Sequence, residues 1–376
     1  MRKKWSSSET RWRLTSRGFC SGWKIPPIPV CWSAPPFYNS GLLDTAANGI
    51  ILSELAYIDP NTGTADPNLY AIEQRPDGSL VQYEEIGVAG SAFLDVLKPY
   101  DLNFQGDDSI VRAIPNTHIL GAPAANFGSF AAILGMPVLN NRVTHVDMKP
   151  VAQLDFMQVD FSTDRPAPTA NTYTVGLSKL PAETPGQVEP TDPVPTFVDI
   201  PVLDVRTEAH GLRTDITLVL DTGGQASIIS ETAALQMGII LDPDHPNTDV
   251  VGFLEIGGLG GSVEVPFVQI DRLVIPTDQG VDLVFTDLQV GVLDIAGLGG
   301  IIGMNVLASG YGDLVFGGAD SGEYGVFGDL YFDFSTSDWL MQLEMNPEFN
   351  NIVPEPASAT CILLIGGLLA LRRRAA

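Results

Sequence analysis

Along most of the middle of the chain, apolar and polar residues alternate or form short apolar runs bounded by Gly, Pro or Asp. The clearest stretches are residues 80–87, 267–276, 281–290 and 329–334. A period of two is typical of β-strands with one buried face. The pattern therefore predicts a mainly β protein built from many short strands.

In the middle of the chain only one stretch clearly favours a helix, the sequence SETAALQMG at 230–238. Ser230 is placed to cap its N-terminus, and Gly238 is placed to end it. The sequence SELA at 53–56 is a candidate counterpart earlier in the chain.

Several other short strings also occur twice in the chain, once in each half and in the same order. Four such pairs in the same order indicate an internal duplication with halves of about 140 residues. The pairs are 41–54 with 218–231, 131–139 with 299–307, 157–165 with 330–338, and the weaker 83–91 with 253–262. Between the halves, the sequence at 181–197 contains five prolines and no long apolar run, which predicts an extended linker.

Composition narrows the function classes. Twenty Lys and Arg stand against 45 Asp and Glu, a net charge of −25, so the chain as a whole repels a phosphate backbone and nucleic-acid binding is not expected. The four histidines lack metal-binding spacing, and no P-loop or serine-hydrolase motif occurs. We therefore expect neither a cofactor nor a metal.

The first repeat pair places an Asp-Thr turn after an apolar strand in each half, at Asp44 and Asp221. A single Asp at such a position is usually only a turn residue. A pseudo-twofold pairing of the halves would bring the two carboxylates face to face, where they cannot both ionise easily and titrate as a pair. Such a dyad can activate water as a general base and protonate a leaving amine as a general acid. Thr45 and Thr222 can bridge the two loops by their hydroxyl groups, and Gly223 leaves room beside a carboxylate.

With these motifs, residues 41–346 resemble the bilobal pepsin and retropepsin family of aspartic proteases. The sequence DTGGQASIIS is close to the retropepsin form, and the strings ILG and IIG match the element that braces each active-site loop through Gly135 and Gly303. The resemblance implies two homologous β lobes related by a pseudo-twofold axis, with Asp44 and Asp221 catalytic. One departure is Ala46, where the family normally has glycine.

The tail has a different composition. A Pro-Glu-Pro sequence at 354–356 precedes an apolar run of 13 residues at 359–371 and three arginines at 372–374. This order resembles the PEP-CTERM sorting signal of exported bacterial proteins. It implies a C-terminal hydrophobic helix, transient membrane anchoring through 359–371, recognition by an exosortase-type enzyme, and a final location in the cell envelope or outside the cell.

The predicted domains are an N-terminal lobe at 41–180, the linker at 181–197, a C-terminal lobe at 198–346 and the sorting segment at 352–376. Residues 1–40 carry seven Lys and Arg and only one Glu, and are interpreted as a poorly ordered basic segment or a misassigned start.

The function that follows is an exported aspartic endopeptidase acting on a peptide or protein bound between the lobes. The alternative is a non-catalytic exported surface or matrix protein that uses the same fold to bind peptides or as a structural module. The intact Asp pair favours the enzyme, and Ala46 favours the alternative.

Overall fold

The structure is a computed structural model, and it describes residues 41–54, 71–87, 90–105, 110–122, 132–149, 157–182, 192–258, 260–295, 297–309, 325–347 and 349. The predictions for 1–40, for the helix at 53–56 beyond Glu54 and for the tail at 352–376 lie outside these residues. In the described part of the chain, no helix is long and apolar enough to cross a membrane.

The first lobe is built on a six-stranded sheet with the order β1-β8-β2-β7-β4-β3. Its strands are β1 Gly41–Leu43, β2 Ile50–Ser53, β3 Gln82–Gly87, β4 Gly90–Val96, β7 Leu120–Ala122 and β8 Ala132–Leu134. A two-stranded ribbon adds β5 Tyr100–Gln105 and β6 Val111–Thr117.

The second lobe is built on an eight-stranded sheet with the order β12-β13-β14-β19-β15-β18-β17-β16. Its strands are β12 Ser178–Leu180, β13 Ile200–Ala209, β14 Leu212–Leu220, β15 Ile228–Ile229, β16 Val250–Gly258, β17 Gly261–Ile275, β18 Leu283–Val292 and β19 Gly300–Ile302. The short β12, at the end of the predicted first lobe, pairs with β13 and so belongs to the sheet of the second lobe.

A five-stranded sheet joins the lobes in the order β10-β9-β20-β21-β11. Its strands are β9 Val143–Asp147, β10 Gln158–Ser162, β11 Thr172–Gly176, β20 Phe327–Asp333 and β21 Leu340–Met345. Antiparallel pairing of β9 with β20 at the centre places the pseudo-twofold axis between these two strands.

Three short helices complete the described elements: α1 Met136–Leu139, α2 Glu231–Gln236 and α3 Met304–Leu307. α2 confirms the predicted helix. The Ser230 hydroxyl accepts a hydrogen bond from the Ala233 N–H at 3.2 Å, as expected of an N-cap. Gly238 follows with a φ of 73°, which ends the helix.

Strand registers reveal the duplication. Ile51 pairs with Ile133 on one side and Leu120 on the other, and Ile228 pairs with Ile301 and Gly291 in the same directions. The mainly β, two-lobed fold predicted from the sequence is therefore what the chain adopts. The described residues contain one large buried apolar cluster that runs through both lobes and the joining sheet.

The third sequence pair does not occupy equivalent strands. β10 lies outside β9, whereas the residues matched to it, from Leu330 onward, lie in the central strand β20. In the second half the string forms a turn, because Asp333 accepts hydrogen bonds from the backbone and hydroxyl of Ser335 just after β20. In the first half the same string from Asp160 to Ser162 lies within β10. The matched residues therefore do not share a position in the fold.

Candidate active site

Two loops meet at the pseudo-twofold axis, one after β1 and one after β14. The first residue of each loop makes an equivalent hydrogen bond to a neighbouring strand. The Asp44 N–H donates to the Leu134 carbonyl at 3.1 Å, and the Asp221 N–H donates to the Ile302 carbonyl at 3.0 Å. The loops therefore begin in equivalent positions, which brings Asp44 and Asp221 together as the sequence predicted.

A reciprocal network of threonines ties the loops to each other. The Thr45 hydroxyl donates to the Leu220 carbonyl at 2.5 Å, and the Thr222 hydroxyl donates to the Leu43 carbonyl at 2.9 Å. Each hydroxyl also accepts the other threonine's N–H at 3.1 Å. Both side chains are buried, so the four bonds fix the two loops across the lobe interface without competition from water.

The two carboxyl groups are close enough for each to affect the ionisation of the other. Burial raises the pKa of Asp44, against the opposing effect of hydrogen bonds from the Ala46 and Ala47 N–H groups. Burial and the nearby charge of Asp44 raise the pKa of Asp221 well above its usual value. The pair therefore holds one proton between two carboxylates to a higher pH than either would alone.

Glycine at 223 is required by the approach of the opposite carboxyl. A Cβ at Gly223 would lie 2.7 Å from the Cγ of Asp44, closer than real contacts allow. The first loop has Ala46 at the equivalent position, where its N–H donates to Asp44 Oδ1 at 2.8 Å and its methyl group joins an apolar cluster. The departure at Ala46 is thus accommodated without loss of the hydrogen bond to the carboxylate.

Gly135 and Gly303 lie behind the loops, at the positions predicted for bracing. A Cβ at Gly135 would be 2.0 Å from the Gly49 carbonyl oxygen, and one at Gly303 would be 2.6 Å from the Ala226 carbonyl. The next residues donate N–H groups into the loops at 2.8 Å, Met136 to Ala47 and Met304 to Gly224. Backbone packed this closely leaves each loop little room to move.

A hairpin from each lobe reaches toward the other. In the first lobe it is formed by β3 and β4, and in the second by β16 and β17. Their ends touch, since a Cβ at Gly260 would lie 2.6 Å from the carbonyl carbon of Gly90. The structure thus has two hairpins in contact.

Tyr83 and Glu85 of the first hairpin belong to the site, and the sequence did not identify Glu85. The Tyr83 hydroxyl lies close enough to Glu85 and Asn48 to interact with both, and the centroid of its ring lies 4.9 Å from that of Phe197. Burial, and to a smaller extent the charge of Asp44, raises the pKa of Glu85 to about 7. The sequence did contain a signal for Glu85. Two successive glutamates in a β-strand point to opposite faces, so one of them must face inward.

The second loop has a further support that the sequence did not predict. Asn305 accepts bonds from the Ser227 N–H and hydroxyl at 2.8 and 2.7 Å, and the Ser227 hydroxyl accepts the Gly303 N–H at 3.0 Å. Within the described residues no group of three or more His, Cys, Asp or Glu is placed to hold a metal ion.

Comparison with known proteins gives no matching family model and no matching curated protein. Among solved structures, the chain is similar to a retropepsin-like aspartic protease from Rickettsia conorii, with 13% identity, a TM-score of 0.25, and coverage of 38% of this chain and 80% of that one. It is also similar to basic 7S globulin from soybean, with 8% identity, a TM-score of 0.39 and coverage of 81% and 87%. Conglutin gamma from lupine seeds gives 10% identity, a TM-score of 0.41 and coverage of 81% and 88%. These similarities concern strand arrangement, and they carry no conclusion about chemistry.

Proposed function

We propose that the protein is an aspartic endopeptidase whose dyad is Asp44 and Asp221. The observation that carries the proposal is the direct interaction of two carboxyls, Asp221 buried and Asp44 partly buried, on the axis between the lobes. Structural carboxylates are normally exposed or paired with a cation. A pair of interacting carboxyls with raised pKa values can hold one proton between them, and so has the acid and the base that peptide hydrolysis needs.

In the proposed reaction a water molecule binds between the two carboxyls. The ionised carboxylate removes a proton from the water while the water oxygen attacks the peptide carbonyl carbon. The protonated carboxyl donates its proton to the carbonyl oxygen. Collapse of the tetrahedral intermediate breaks the C–N bond, and a carboxyl proton passes to the leaving amine. Neither a covalent intermediate nor a metal ion takes part.

The substrate would lie extended between the dyad and the two hairpins. Because the hairpin ends touch at Gly90 and Gly260, a polypeptide can enter only if they part. Closure over the substrate would then exclude bulk water from the dyad and strengthen the electrostatic interactions there.

The test is a cleavage assay on a mixed peptide pool from pH 3 to pH 8, with products identified by mass spectrometry. We expect internal cleavage that is greatest at acidic pH, where one carboxyl of the dyad is protonated. The Asp221→Asn protein serves as the control for a contaminating protease. Absence of cleavage at every pH from a correctly folded protein would support the non-catalytic peptide-binding alternative.

The proposal extends to location. The tail at 352–376 would direct export, anchor the protein in the membrane through 359–371 and be processed by an exosortase-type enzyme. The support is the order of the Pro-Glu-Pro sequence, apolar run and arginines. Deletion of 354–376 should release the protein from the cell envelope in a fractionation experiment, and a truncated protein that stays with the membrane would contradict this.

A further inference from the structure

The strand β3 carries two glutamates in succession, and they have different surroundings. The Glu84 carboxylate accepts a hydrogen bond from the Ser91 hydroxyl at 2.7 Å on the exposed face of the hairpin. In the second hairpin Glu255 and Ser262 form the same pair at 2.6 Å. Glu85 therefore points to the opposite face, toward the cleft.

The carboxyl of Glu85 is only partly satisfied. It interacts with the hydroxyl of Tyr83, but its Oε2 atom is buried and, among the residues that the structure describes, has no hydrogen-bond partner. An unsatisfied buried acceptor destabilises the protein, because it has lost its hydrogen bonds to water without gaining others. A donor supplied from outside the protein would relieve this penalty.

Two observations place Glu85 in the cleft and show that the cleft has two chemically different sides. Glu85 is close enough to Asp44 for that charge to affect its ionisation. The hairpin registers make Ile256 its equivalent in the second hairpin, and Ile256 packs in an apolar cluster with Leu298 and Ala46. A symmetric fold thus presents a carboxyl on one side and an aliphatic side chain on the other.

We propose that Glu85 forms a subsite that selects a Lys or Arg side chain of the substrate peptide, whereas the subsite beside Ile256 selects an apolar side chain. This inference rests on the proposed function. A Lys or Arg head group has only donors to offer and matches an unpartnered carboxylate oxygen. The net charge of −25 also attracts cationic peptides to the protein.

The selection should depend on pH. The charged group that acts on Glu85 is Asp44 on the first loop, whose own ionisation is linked to that of Asp221, and the uncharged neighbour of Glu85 is Tyr83. With a pKa of about 7, Glu85 is mostly neutral at pH 5 and about half ionised at pH 7. The preference for a cationic side chain should therefore increase between pH 5 and pH 7.

The experiment uses octapeptide pools that fix Lys, Gln or norleucine at one position and randomise the others. Cleavage of each pool is measured with the wild-type protein, with Glu85→Gln, and with Glu84→Gln as a control of equal charge change on the outer face. At pH 7 we expect Lys to be favoured at least tenfold over norleucine at one position, a preference that Glu85→Gln removes and Glu84→Gln retains. Equal rates for Lys and norleucine in the wild-type protein at pH 7, or a preference that survives Glu85→Gln, would overturn the inference.

A binding experiment separates this inference from the proposed function. The same pools, fluorescently labelled, are titrated into Asp221→Asn and into Asp221→Asn with Glu85→Gln, and fluorescence anisotropy reports binding without cleavage. Tighter binding of Lys pools that depends on Glu85 supports the subsite even if the wild-type protein cleaves nothing. Cleavage that requires the dyad but shows no role for Glu85 overturns only the subsite, and a protein that neither cleaves nor binds any pool overturns both.

Discussion

The two Asp-Thr loops have the same backbone arrangement but different side chains around it. In each loop the aspartate carboxylate accepts hydrogen bonds from backbone N–H groups. In each loop the threonine hydroxyl accepts a hydrogen bond from the backbone N–H of the threonine across the axis. The second loop has Gly223 and the Ser227–Asn305 support, whereas the first has Ala46, with Ile50 and Pro137 in the equivalent supporting positions. The comparison shows that the threonine bonds across the axis maintain the pseudo-symmetry, whereas the residue after each threonine and the support behind each loop do not.

The hairpins differ in the same manner. Their outer faces carry the same Glu–Ser pair, but their inner faces carry Glu85 in one and Ile256 in the other. Duplication alone would give a cleft that treats both sides of a substrate equally. Divergence at the inner face is the simplest way to give the cleft a direction, and the predictions below test which differences matter.

The largest loss of activity should come from substitutions in the dyad itself, and it should be the same for the aspartate of either loop. Asp44→Asn and Asp221→Asn should each lower kcat by about 10³- to 10⁴-fold, since Asn can neither share the proton nor activate water. The double variant should be hardly worse, because the two residues act as one unit. Steady-state kinetics on a cleaved peptide measures this, with circular dichroism as the control for folding. Strongly unequal losses would show that only one aspartate is essential.

The next effect should separate the loops. Gly223→Ala places a methyl group 2.7 Å from the Asp44 Cγ and must displace that carboxyl, so we expect a loss of about 10²-fold in kcat/KM. Gly176→Ala in β11, where nothing lies within 4 Å of an added Cβ and φ is not in the left-handed region, is a control for the general effect of replacing a glycine. Unchanged activity in Gly223→Ala would mean that the dyad tolerates movement.

A stability measurement should separate the hairpins. The pKa of Glu85 is raised from 4.5 to about 7, so the folded state binds more protons than the unfolded state in this window, and stability falls as the pH rises through it. Glu85→Gln should remove a decline of about 2–3 kcal/mol in the free energy of unfolding between pH 4.5 and pH 7. Urea unfolding at several pH values measures it. If Glu84→Gln flattens the profile equally, the decline does not arise from the inner face.

The threonine network should show the symmetry again. Thr45→Val and Thr222→Val keep the shape but leave a buried carbonyl and N–H without their bonds, which should lower stability by about 1–3 kcal/mol each. The two losses should agree, and the double variant should lose less than their sum because the bonds are reciprocal. Chemical denaturation provides the values. Additive losses would show that the loops are held independently.

The sequence predicted the parts of this arrangement that depend on local pattern. Alternation located β3, β17, β18 and β20, a cap located α2, and order within the repeat paired Asp44 with Asp221. The sequence comparison wrongly treated the two Asp-Phe-Ser-Thr segments as equivalent in the fold. A short shared string carries no information about which strand of a sheet it belongs to. The sequence comparison also missed Glu85, since the hairpin registers align Glu85 with Ile256 and not with Glu255 as string similarity suggests, and only the pairing of two strands shows this shift.

The smallest effect should come from making the loops identical. Ala46→Gly gives both loops Asp-Thr-Gly, and because the Ala46 N–H already donates to Asp44 at 2.8 Å, the dyad has little to gain. We expect activity to be preserved or raised within about threefold, with a loss of about 0.5–1 kcal/mol in stability from the added freedom of the unfolded chain. The reciprocal Gly223→Ala, which should be far more damaging, is the matched control. A large loss of activity in Ala46→Gly would show that the alanine methyl shapes the cleft, whereas cleavage that appears only in Ala46→Gly would identify this methyl as the reason for an inactive wild-type protein.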